Sequence, residues 1–180
     1  MKFSWERFNI YFVLLLAAVM AFGCQSSAER KRKKEMSVLR LHLEARPDST
    51  DRTQPVPVFR ADPVTIDIQR SAFLTEENVK EASVVETLGS FSIQLQLDRH
   101  GRLILEQITG GNRDKRIVIF AAFGLKKGGK PLHNRWIAAP KITRRISDGL
   151  LVFTPDATRE EAELFVLGLN NAAKKFQDKE

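Results

Sequence analysis

The chain has 180 residues, 43% of them hydrophobic and 28% charged, with a formal net charge of +7. These fractions are ordinary for a globular protein, and the length suits one domain with a tail. The single cysteine excludes an intramolecular disulfide and a Cys/His zinc cluster. The positive charge does not read as a nucleic-acid surface, because its excess is local: Arg30, Lys31, Arg32, Lys33 and Lys34 stand together, while acidic and basic residues nearly balance from Met36 onward.

Residues 1–9 carry Lys2 and Arg7 against Glu6, and Ile10 to Phe22 follow as an apolar run (IYFVLLLAAVMAF) ending at Gly23 and Cys24. A charged start, a short apolar run and a small residue before a cut form the layout of a secretory signal. The run is short for a membrane span, which takes about 20 residues. Ala21-Phe22-Gly23-Cys24 resembles the lipobox of bacterial lipoproteins, with Phe22 departing from the usual small residue. That resemblance implies cleavage before Cys24 and lipidation of its thiol. The expected layout is a signal peptide over residues 1–23, a polar basic tether over 24–36 and a globular domain over 37–180. An uncleaved anchor with a cytoplasmic domain is the alternative, since basic residues favour the cytoplasmic side and the strong cluster follows the apolar run. A lipid at Cys24 together with the basic run Arg30 to Lys34 would make a two-signal membrane anchor.

In the domain, Val38–Glu44 alternates as a strand, Arg46–Pro57 reads as a polar loop, Val58–Arg60 as a short strand and Val64–Gln69 as a further strand. Thr75 is placed to cap a short helix running to about Ala82, with Val79 and Ala82 inward. Ser83–Leu88 returns as a strand, and Phe91–Asp98 alternates after the Gly89-Ser90 turn. Arg99-His100-Gly101 reads as a turn and Leu103–Thr109 as a helix. Arg116–Phe123 (RIVIFAAF) is apolar on both faces and therefore central. A glycine-rich connection over Lys126–Pro131, a strand over Asn134–Ala138, a helical turn over Pro140–Ile146 and a strand over Leu150–Phe153 follow. Thr158 and Glu161 form a capping-box pattern ahead of an apolar stripe running from Ala162 through Phe176 at helical spacing. The expected class is α+β: a mainly antiparallel sheet with helices on one face and a ferredoxin-like split β-α-β core over Val64–Phe123.

Arg116–Phe120, Arg135–Ile142 (RWIAAPKI), Arg145–Gly149 (RISDG), Phe153–Ala157 (FTPDA) and Glu160-Glu161-Ala162 together resemble the periplasmic head subdomain of SecD, an accessory subunit of the preprotein translocase. The strand and helix over Phe91–Thr109, with a D-x-x-G turn at Asp98–Gly101, match as well. The likeness covers roughly residues 58–176. It implies a SecD-head-like fold, a place outside the cytoplasm, and contact with extended or unfolded polypeptide. SecD spans the membrane several times and works with SecF on the proton gradient. This sequence shows no second apolar segment and no room for a base subdomain, so the expectation is a fold without proton conduction.

Chemistry is sparse. His42, on the polar face of a strand, His100 in a turn and His133 in a loop are scattered, and neither a G-x-S-x-G elbow nor an H-E-x-x-H motif occurs. Asp148 and Asp156 are explained by turn and cap roles. Arg144-Arg145 with Trp136 would make a cation–aromatic surface, with a solvated face the simpler reading. No catalytic, cofactor or metal residues are assigned; Cys24 is the one modification site. The leading expectation is a non-catalytic, lipid-anchored envelope protein facing the periplasm or exterior. It would bind a polypeptide client or a translocase component in connection with export, by strand addition at a sheet edge. The alternative is a structural lipoprotein docked in an envelope assembly. Specific nucleic-acid binding is not expected.

Overall fold

The structure, a computed structural model, describes residues 27–47, 51–125 and 131–177. Residues 32–180 form the main compact unit. The signal segment, Cys24 and the glycines of the 126–130 connection lie outside the described residues.

The largest sheet has four antiparallel strands. At its centre are β1 (Val38–Leu43) and β7 (Ile117–Leu125), registered Leu41 to Ile119 and Leu39 to Ala121. The short β4 (Leu74–Thr75) borders β1, and β8 (Pro131–Ala138) borders β7. Period-two alternation sends Leu39, Leu41, Ile119, Ala121 and Phe123 to one face, where all are buried in the main core. The opposite face carries His42, Val118 and Trp136. There β2 (Thr53–Val58) and β3 (Val64–Gln69) lay down a hairpin whose Val56, Val58, Ile66 and Ile68 close a second apolar cluster over Val118. Both faces of β7 are therefore dry, which is why RIVIF has no polar side.

A three-stranded sheet combines β5 (Val79–Thr87), β6 (Ser90–Leu97) and β9 (Leu150–Phe153), with β6 in the middle. Helix α1 spans Ser27–Lys34, α2 Arg99–Gly111 and α3 Arg159–Gln177. Thr158 and Glu161 exchange the two capping-box bonds, N–H of Thr158 to Oε2 of Glu161 at 2.9 Å and N–H of Glu161 to Oγ1 of Thr158 at 3.2 Å. From this start α3 buries Ala162, Phe165, Val166, Leu169, Ala172 and Ala173. Its Gly168 permits close approach to β1: a Cβ there would stand 2.7 Å from the Ser37 nitrogen. The carbonyls of Arg32 and Glu35, at the end of α1, each accept from the Asn171 amide.

The α+β class holds, but several local expectations do not. Residues 53–57, expected as loop, form β2 despite Pro55 and Pro57. Two residues apart on a two-stranded ribbon, the prolines leave their missing donors on one border, and Gln54, Val56 and Val58 remain free to pair with β3. The expected helix from Thr75 to Ala82 is only a 3₁₀ turn at Glu76–Asn78, after which Val79 and Ala82 enter β5, still buried. Pairing with β6 overrides the helical reading. Helix α2 starts at Arg99, not Leu103, because Asp98 caps it by accepting from the Gly101 N–H at 2.6 Å. Gly101 is needed there, since a Cβ would meet that of Asn78 at 2.9 Å. Pro140–Ile146 is not helical; it runs extended beside Lys115 and Arg116, with Ile142 donating to the Lys115 carbonyl. The strands from Val64 to Phe123 follow the expected order but divide among three small sheets, so no single ferredoxin-like sheet forms.

Candidate polypeptide-docking edge

A strand at a sheet border presents unpaired N–H and C=O groups, and folded proteins generally blunt such borders. Most borders in this domain are blunted. β2 carries its two prolines. β3 is bridged by the chain following β1, where Ala45 donates to the Asp67 carbonyl at 2.8 Å. β4 is two residues long. β8 begins with proline, and its Ile137 carbonyl accepts from the Asp156 N–H. β5 has an irregular register between Val79 and Glu81, and at Ala82 a side chain imitates a neighbouring strand: Asn170 of α3 accepts from the Ala82 N–H at 2.8 Å and donates to its C=O at 2.9 Å.

β9 differs. Leu97 donates to the Gly149 carbonyl at 3.0 Å, which fixes Gly149, Leu151 and Phe153 as the residues that bond to β6. The N–H and C=O groups of Leu150 and Val152 therefore face outward. Asp148 takes the Leu150 N–H at 3.0 Å, and among the described residues no strand lies on this border. The strand, Leu-Leu-Val-Phe, has no charge and no proline, and Val152 is 45% exposed. Alongside runs a groove of about 210 Å³ of mixed character, lined by Ile117, Ile142, Ile146, Leu150 and Val152 and also by Lys141, Thr143, Arg144 and Asp148. The Ile146 N–H donates to the buried Thr109 hydroxyl at 2.9 Å, so α2 holds the far wall in place. A groove next to an unpaired strand edge is suited to an added strand: backbone bonds supply affinity, and the groove receives alternate side chains.

A charged cluster ties the turn after β2 to the start of α3. The Arg60 N–H donates to Asp156 Oδ2 at 2.6 Å, and its guanidinium lies 3.5 Å from Glu161. Arg135 reaches the same carboxylate at 2.7 Å, and His133 Nδ1 stands 3.4 Å away. Burial raises the Glu161 carboxyl, but the Thr158 N–H and the Arg135 and Arg60 guanidinia outweigh it and hold the group below the usual carboxylate range. Arg135 also lies over the Phe123 ring at 5.6 Å, and His133 stacks on that ring at 4.8 Å. Apart from the buried Arg135 Nε, which has no hydrogen-bond partner among the described residues, its groups bond to one another, which marks the cluster as a structural clasp.

The residues singled out from sequence scatter through the fold. His42 is not on a wet face: it is buried under the hairpin, with Nδ1 at 2.8 Å from the Gln69 carbonyl and its ring edge-on to Trp136. His100 is exposed on the first turn of α2, and His133 belongs to β8, not a loop. Asp148 and Asp156 serve separate turn and clasp roles. Trp136 packs against His42 and Phe120, whereas Arg145 pairs with Glu106, so the expected Arg144–Arg145–Trp136 surface does not form. Of the basic run, the described side chains Arg32, Lys33 and Lys34 are exposed on α1. Among the described residues no helix is long and apolar enough to cross a membrane, and no group of His, Cys, Asp and Glu is placed to hold a metal. Sequence reasoning missed Asn170 and Val152. The signals were an amide inside an apolar helical stripe and a border strand lacking any charge.

This geometry defines an α+β domain of small antiparallel sheets in which, among the described residues, no strand lies along the outer border of β9. The family described as SecDF, P1 head subdomain, matches residues 53–173, and the chain belongs to that family. Two solved structures share the fold. One, described as SecDF, a membrane component that enhances protein export, has 18% identity and a TM-score of 0.51, over 82% of this chain and 70% of that one. The other, SecDF in a super-membrane-facing form, has 18% identity and a TM-score of 0.52, over 81% of this chain. This chain spans only 21% of the latter's length. No curated protein matches in sequence.

Proposed function

We propose that this protein is a membrane-tethered envelope lipoprotein, acylated at Cys24, whose non-catalytic head domain engages extended polypeptide in connection with protein export. The observation that carries this reading is the outer edge of β9, which no strand covers among the described residues and which lies beside a groove of mixed polarity. Family membership supports the export context, because the related SecDF is described as enhancing protein export. The client is an unfolded preprotein segment or an extended segment of a translocase component. The anchor is the Cys24 lipid assisted by the basic run Arg30 to Lys34, and the domain faces the periplasm or exterior.

Two experiments test the two halves. Mass spectrometry of the mature N-terminus is expected to find Cys24 as the first residue, carrying acyl mass; an intact Met1 or a free thiol overturns the anchor. For the edge, a tagged full-length chain is recovered from membranes alongside Val152→Pro, which removes an outward donor without touching the β6 ladder. Capture of export clients or translocase components by the wild type and its loss in the variant is the expected result. Equal recovery from both, or none from either, sinks the docking edge.

A further inference from the structure

The groove beside β9 does not end in neutral surface. Arg144 lines it and also lines a second hollow, of about 520 Å³, formed with Glu106, Arg113 and Arg145 at the C-terminal end of α2. The two hollows therefore share one lining side chain. Three guanidinia face one carboxylate in the second hollow, an excess of two positive charges. Their bonding is unequal. Arg145 is paired with Glu106, and Arg113 donates to the Thr143 carbonyl at 3.2 Å. No ion pair or hydrogen bond occupies Arg144 among the described residues.

We infer that the polypeptide seated on β9 is selected for acidic residues flanking its extended apolar segment, read by Arg144 together with Arg113 and Arg145. This rests on the docking edge proposed above and gives its occupant a chemical class. A guanidinium presents a planar fork that fits a carboxylate; Arg113 is already steered by the Thr143 carbonyl of the segment walling the groove, and Arg145 by Glu106 of α2. The charge excess attracts an anionic chain toward the edge, and the isoleucines and Val152 of the groove then hold its alternate apolar side chains. An apolar segment flanked by lysines would meet Arg144 with like charge, so the same group discriminates against basic flanks.

The test uses the full chain in neutral detergent, labelled peptides and fluorescence anisotropy. One peptide alternates valine and threonine and ends in glutamates; a second ends in glutamines; a third ends in lysines. The glutamate peptide is expected to bind on the order of tenfold tighter than the glutamine peptide at low salt, with the lysine peptide weakest. Arg144→Gln, an exposed change expected to leave the fold intact, should erase most of that preference, as should about 0.5 M salt. Lys33→Glu/Lys34→Glu should leave it unchanged, which separates this cluster from the basic run on α1. Equal binding of all three peptides, abolished by Val152→Pro, overturns the charge selection but keeps the edge. No binding of any peptide overturns the edge itself. Loss in Arg144→Gln of binding to vesicles containing phosphatidylglycerol, with the peptide ranking unmoved, reassigns the arginines to the membrane and overturns the inference.

Discussion

At one border of the three-stranded sheet, Asn170 gives both ends of its amide to Ala82 of β5. At the other border, β9 turns the N–H and C=O of Val152 outward next to a groove of mixed polarity. The two strands flank the same partner, β6, and face the same hazard of pairing with a foreign chain. One border is sealed by a side chain from α3, by an irregular register and by charges at Lys80, Glu81 and Glu86. Among the described residues, the other has a single side-chain acceptor, Asp148 on the Leu150 N–H, and no charge within the strand. An edge this lightly covered, in a sheet whose opposite border is sealed, is what the proposed docking requires.

The strongest way to break the contrast is to unseal β5. Asn170→Ala strands two backbone groups of Ala82 that are shielded from full hydration under α3. The expected loss is about 1–3 kcal/mol in urea unfolding, accompanied by concentration-dependent self-association through the newly bared border. Loss of stability without self-association would mean that the amide serves only the helix–sheet contact, and that the contrast with β9 is not one of edge protection.

A smaller effect is expected from the third protected region, the β2–β3 hairpin. Burial holds the His42 imidazole below its ordinary value of 6.5, although the bond to the Gln69 carbonyl pulls the other way. The native state thus resists the proton that the unfolded chain accepts. Stability attached to neutral His42 is complete above pH 6.5 and is lost as the pH falls from there through the lowered native value. Hydrogen exchange at pH 5 and 7 should show the hairpin amides opening at the lower pH, with β9 and β6 unaffected. His42→Gln should flatten that difference. A uniform loosening of the whole domain would mean that the hairpin is not a separable cover.

How far the sequence disclosed this contrast depends on range. Short-range signals were legible: the Thr158–Glu161 capping box, the apolar stripe of α3, the alternation of β6 and the two dry faces of β7 all occur where their patterns place them. The order of motifs from Arg116 to Ala162 also sufficed to point to the SecD head family. What failed depended on partners distant in sequence. Val79–Ala82 has a helical look, but partners on β6 from Leu97 to Leu95 make it a strand. Pro55 and Pro57 suggest a loop until β3 supplies a ladder on the side they leave free. The site itself was hard to read for the same reason: Asn170 and Ala82 are 88 positions apart, and the lack of charge in Leu150–Phe153 does not by itself say that no strand pairs with its outer side.

A smaller effect still is expected at the open border. Val152→Lys places a charge where natural edges often carry one, and it disturbs no bond to β6. Stability should change by no more than about 0.5 kcal/mol, while capture of extended polypeptide in membrane pull-downs falls sharply. A variant that keeps full capture would show that clients engage another surface.

The smallest effect tests whether charge alone seals β5. Arg159 bridges Glu86 of β5 and also pairs with Glu163 one turn along α3. Its guanidinium is raised above its ordinary value by those two carboxylates, yet it is fully exposed, so solvent screens the pairing. Arg159→Ala should leave the urea midpoint unchanged within measurement error and should cause no self-association. If it instead aggregates as Asn170→Ala is expected to, the salt link is part of the seal, and β5 is guarded by electrostatics as well as by the borrowed amide. A silent Arg159→Ala beside a damaging Asn170→Ala assigns edge protection to the backbone bonds at Ala82, the same kind of group that β9 leaves free.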